Sequence, residues 1–70
     1  METFKPGMII YAFIEGCDLD LRVKEVTPDA VLAVLVQWDD ERLFGDDFIE
    51  VGVPDRYTYE DLKDAVVVKH

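Results

Sequence analysis

Six carboxylates, Asp39, Asp40, Glu41, Asp46, Asp47 and Glu50, fall within twelve consecutive positions. Side chains of that type at that density can hold a divalent cation, move protons or attract positive charge. A calcium loop wants oxygens at alternating positions, a glycine at the sixth and a bidentate Glu at the twelfth. Counted from Asp39, Glu41 and Glu50 stand where ligands belong, but Leu43 takes the fifth position and Phe44 the place of the glycine. No EF-hand loop is expected, and no metal is assigned. Zinc lacks its ligands in a chain with one cysteine and one histidine. Asp39 and Glu41 are the pair nearest to what acid–base or glycosidic chemistry uses. Such work also needs a cleft that raises a carboxyl pKa, and a barrel of 70 residues fills its interior with its own side chains.

Nucleophilic catalysis needs a nucleophile held beside a base. Cys17 has only His70 to serve it, at the chain end, where the backbone usually frays. The chain contains no serine, and its three threonines have no histidine neighbour in any sensible strand register. The four glycines, at 7, 16, 45 and 52, are isolated, so no phosphate-cradling loop and no nucleotide cofactor are expected. The chain therefore reads as a binding protein and not an enzyme.

The elements that would position such residues are mostly strands. Met8 to Ile14 is an almost unbroken apolar run after the Lys5-Pro6-Gly7 turn signal. From Leu19 to Lys24 apolar and charged residues alternate strictly, the mark of a half-buried strand. The short Glu15-Gly16-Cys17-Asp18 connection makes those two strands an antiparallel hairpin. Thr27-Pro28-Asp29 ends the second strand, and Val31 to Trp38 is a third. Phe48 to Val53 is a fourth, closed by Pro54 and Asp55. Thr58 precedes Asp61 by three residues, a capping signal for a short helical turn over Tyr59 to Asp64, and the valine-rich Ala65 to Lys69 supplies the last strand.

Five short strands with one helical turn before the last predict an all-β fold, a small five-stranded barrel forming a single domain over residues 1–70. Closure would also cover the edges of so small a sheet. That architecture resembles the SH3-like barrel. More narrowly, Phe4-Lys5-Pro6-Gly7-Met8-Ile9-Ile10, Leu21-Arg22-Val23-Lys24-Glu25-Val26 and Val34-Leu35-Val36-Gln37-Trp38 resemble the opening, second strand and third strand of small bacterial YodC-like proteins. The resemblance carries over no site residue.

Charge narrows the partners. The chain has 16 acidic and 7 basic side chains, a net charge of −9. Direct binding of nucleic acid or of an anionic membrane is disfavoured, because both rest on clustered Lys and Arg. The longest apolar run, Ala30 to Val36, is too short to span a bilayer, and with no secretory signal and a single cysteine a cytoplasmic setting is expected. The acidity is concentrated: Asp39 to Asp64 carries ten acids and three bases, Met1 to Trp38 six acids and three bases. Asp39, Asp40, Glu41, Asp46, Asp47, Glu50, Glu60, Asp61 and Asp64 are accordingly the expected contacts for a protein with a basic surface. Trp38 and Phe44 join them as neighbouring aromatics. A nucleic-acid-binding protein fits that description, the chain then acting as a phage-type inhibitor whose carboxylates imitate phosphates. The alternative is an SH3-like module that reads a peptide or a modified residue through loop aromatics, Trp38, Phe44 and Tyr57, with Tyr59 also exposed. Homodimerisation through the last strand or an aromatic patch is a further expectation.

Overall fold

A computed structural model describes residues 4–38 and 48–69, with Trp38 described by its backbone alone. Six strands form one antiparallel sheet: β1 (Ile9–Ile14), β2 (Cys17–Val26), β3 (Ala30–Trp38), β4 (Phe48–Glu50), β5 (Asp55–Thr58) and β6 (Val66–Lys69). The chain meanders from β1 through β3, and β6 returns to pair with the free side of β1. β2 is the longest strand because it serves two partners in turn, β1 from Cys17 to Arg22 and β3 from Leu21 to Val26. An extra residue at Lys24 interrupts its register with β3, the kind of bulge that bends a strand and increases its twist.

Alternation sorts the side chains onto two faces. Ile10, Ala12, Leu21, Val23, Val31 and Ala33 point inward and form the main core with Phe4, Met8 and Leu62. The opposite face carries a smaller cluster, Ile9, Val34 and Val36, against which Phe48 packs. Ile9 and Ile10 are thus both buried, on opposite faces, which is why the first strand reads as a continuous apolar run.

The all-β expectation holds, and three of its details differ: the number of strands, the helical turn and the closure of the barrel. The strand expected over Phe48 to Val53 is instead β4 and, after a break, β5, so the described residues form six strands in place of five. Gly52 has a φ of +100°, a conformation unfavourable for residues with a Cβ, and Pro54 lacks a donor for the ladder. Both β4 and β5 pair with the same edge of β3, β4 against Val36–Trp38 and β5 against Ala30–Ala33. The second difference lies ahead of β6. Residues 59–64 form successive hydrogen-bonded turns and no helix. The strand order runs from β4 at one end to β6 at the other, an open path and not a closed ring among the described residues.

β6 is four residues long and meets β1 with a register shift. Val66 pairs with Tyr11, Val67 with Ile10 and Lys69 with Ile9, which leaves Val68 as the extra residue. Val66 and Val68 are 58% and 51% exposed.

Candidate functional site

The β1–β2 turn sets the geometry of one end of the sheet. Ile14 pairs with Cys17, so only Glu15 and Gly16 form the loop. Their φ values are +52° and +80°. Positive φ at both central residues is the requirement of the type I′ turn, whose twist matches that of the strands it joins. Phe13 is the last outward residue of β1 before this turn. Its inner neighbour Ala12 is fully buried, while Phe13 itself is 62% exposed.

Facing it is the segment between β5 and β6. Thr58 and Asp61 cap each other: the Asp61 amide donates to Thr58 Oγ1 at 3.1 Å, and the Thr58 amide donates to Asp61 Oδ2 at 3.3 Å. The Leu62 amide donates to the Thr58 carbonyl at 3.2 Å, and the Leu62 side chain, 2% exposed, is fixed in the main core. Pinning Leu62 inward turns its neighbours outward. Glu60, Asp61, Lys63 and Asp64 then form one wall of a surface groove of about 260 Å³, with Phe13, Ile14 and Glu15 on the other and Ala65 at its end. Four carboxylates and one ammonium line the groove together with the exposed Phe13.

Those charges are unequally engaged. Lys63 Nζ lies 3.4 Å from Glu60 Oε1, and Asp61 is held by its capping bond. Glu15 and Asp64 have no side-chain partner among the described residues. No family model, curated protein or solved structure matches this chain.

Three of the acids singled out in the sequence, Glu60, Asp61 and Asp64, come together in the groove. Glu50 lies elsewhere. Its Oε2 accepts from Lys24 Nζ at 2.8 Å and from Arg22 Nη1 at 3.0 Å, while Arg22 Nη2 reaches the Phe48 carbonyl at 3.2 Å. The bond from Lys24, then that from Arg22, hold the Glu50 carboxyl below the ordinary carboxylate range. Its charge is spent tying β4 to β2 across β3. Asp39, Asp40, Glu41, Phe44, Asp46 and Asp47 lie outside the described residues, as does the Trp38 side chain.

Phe13 and Glu15 are absent from the sequence-derived site. Phe13 is concealed in an apolar run that looks like core throughout, although its position one residue before Ile14-Glu15-Gly16 is a signal, since a strand's last outward residue beside a tight turn has little to pack against. Of the remaining aromatics, Tyr57 packs against the main core, and burial, with the nearby Asp55 charge, pushes its phenol up. Tyr59 stacks on Phe4 with ring centroids 6.4 Å apart and donates to the Thr27 carbonyl at 2.7 Å. Tyr11, on the same face as Phe13, donates to Asp18. That bond, with partial loss of solvent and the charges of Asp18 and Asp20 behind it, holds the phenol above its ordinary value. Among the described residues no group of three His, Cys, Asp or Glu side chains is arranged to hold a metal ion, and Cys17 is exposed with a free thiol.

Proposed function

We propose that this chain is a non-catalytic protein-binding domain whose acidic flank engages a basic protein surface. The observation that carries the reading is the groove between the β1–β2 turn and the 59–65 segment, where Glu15, Glu60, Asp61 and Asp64 outnumber Lys63 along a lining shared with the exposed Phe13. An anionic surface draws a basic partner over several ångströms, speeds encounter and makes affinity fall with salt. β3 runs toward the same end of the meander as the Glu15–Gly16 turn, and Asp39, Asp40 and Glu41 follow it directly in sequence. A nucleic-acid-binding protein is the partner class whose surface is most consistently basic, and carboxylates presented on a rigid sheet stand in for its phosphates. The scaffold is best read as a half-open relative of the SH3-like barrel. The meander of β1 to β3, the return of β6 to β1 and the turn segment ahead of β6 support that reading.

A charge-matched pair of double variants tests the proposal. Glu60→Gln with Asp64→Asn removes two charges from the groove, and Glu25→Gln with Asp29→Asn removes two exposed charges elsewhere. Basic proteins retained from a lysate by the parent chain at low salt should be released by moderate salt, lost with the first variant and kept with the second. Equal retention by all three proteins would return the acidity to an unspecialised surface.

A further inference from the structure

We propose that the groove receives a single arginine side chain of the partner, its guanidinium stacked on the Phe13 ring with Glu15 and Asp64 beside it. This inference rests on the acidic-flank reading above and specifies what that flank recognises. A phenyl ring 62% exposed at a strand end is unfavourable to leave in water, and the groove that Phe13 lines is rimmed by four carboxylates. An aromatic face attracts a cation through its quadrupole, and carboxylates at the rim add direct charge and hydrogen-bond acceptors. The groove already accommodates one cation, because Lys63 sits on Glu60 at its edge. Asp61 is occupied by the Thr58 amide. Glu15 and Asp64 are left with charge and acceptor capacity and no side-chain partner among the described residues, so the complement of the groove is positive.

Arginine fits better than lysine for two reasons. Its guanidinium is planar and weakly hydrated, so it stacks on a ring at little desolvation cost, and its forked donors can serve two carboxylates at once. A lysine ammonium is compact and strongly hydrated, and it would compete with Lys63 for the same kind of contact. A second copy of this chain is the less favoured occupant, since it brings another net charge of −9.

The test uses the full chain, isotopically labelled, titrated with a blocked peptide of three Gly-Ser-Arg repeats and with its lysine and citrulline counterparts. The expected result is a set of NMR shift changes centred on Phe13, Glu15 and residues 60–65, strongest with arginine, weaker with lysine and absent with citrulline. Phe13→Leu keeps an apolar side chain on the surface and should weaken arginine binding roughly threefold to fivefold, while Phe13→Trp should match or exceed the parent. Phe13 is exposed, so both variants should fold, and their amide spectra will show it. If Phe13→Leu binds like the parent while Glu60→Gln with Asp64→Asn weakens binding, the stacking inference falls and the acidic-flank reading stands. If no peptide binds, or charge removal changes nothing, both fall. Self-association abolished by Phe13→Ala in sedimentation would make the occupant a second copy and overturn the inference.

Discussion

Replacing Glu15 by asparagine should stabilise the protein, and the cause can be isolated. Glu15 has a φ of +52° and is the one described non-glycine residue with a positive value. The left-handed region costs an ordinary L-residue roughly 1–2 kcal/mol, and asparagine is one of the few residues that adopts it readily. Recovering half of that cost gives a gain of about 0.5–1 kcal/mol, and the resulting Asn-Gly pair is the sequence most favoured in a type I′ turn. In a domain of this size such a gain raises Tm by roughly 2–8 °C. The substitution also removes a negative charge from a chain at −9, which by itself relieves repulsion. Glu15→Gln supplies the control, since it removes the same charge and keeps the backbone cost. Thermal unfolding followed by circular dichroism, with urea midpoints at 0.15 M and 1 M salt, should place Asn above Gln and Gln close to the parent, with the gap unchanged by salt. Equal shifts for both variants would assign the gain to charge and refute backbone strain as its source. Because Glu15 also lines the groove, the stabilised variant should bind arginine peptide more weakly, a strained residue kept where it is used.

Two further outcomes follow from the packing and the charges. Leu62→Ala empties a core position that also fixes the groove wall, at a cost of about 2–5 kcal/mol, which is most of what a core this small supplies; urea unfolding should show a largely unfolded chain, Leu62→Met should stay folded, and a Leu62→Ala midpoint close to the parent's would refute the anchor. Glu50 is held below the ordinary carboxylate range by Lys24 and Arg22, so its contribution to stability is complete above the unfolded carboxylate value and is lost as pH falls through the lower folded one. Glu50→Gln should therefore flatten the acid side of the stability profile measured by urea midpoints on the way down from neutral pH, and superimposable slopes would refute the pairing.

The strands were largely legible because their patterns are local. Strict alternation from Leu19 to Lys24 located β2, and the interval between the apolar runs located its hairpin with β1. β5 was not legible: Asp55-Arg56-Tyr57-Thr58 offers one apolar side chain to the interior and is held chiefly by pairing with a strand more than twenty residues earlier in sequence. The alternation of Ile49, Val51 and Val53 suggested one continuous strand, and only the backbone at Gly52 and Pro54 divides it. Charge counting located the acid-rich second half and could not show which acids are spent. Glu50 meets Arg22 and Lys24 across separations of 28 and 26 residues, a matter of register two strands away. Phe13 cannot be told from the core aromatics by pattern, because a run buried on both faces at Ile9 and Ile10 hides the position where the outer face opens to water.

The irregular pairing of β6 bears on how copies of this protein avoid one another. Val66, Val67 and Val68 are three consecutive β-branched residues on the last strand of the sheet, the composition from which intermolecular fibrils are templated. The displaced Val68 leaves too short and too bent a stretch to seed such stacking, and bulged, abbreviated edges are a recurrent safeguard of natural sheets. The surplus of carboxylates is a second safeguard of a different kind, acting at long range. Near the isoelectric point of about 4.2 that surplus vanishes, and colloidal integrity passes to one misaligned valine.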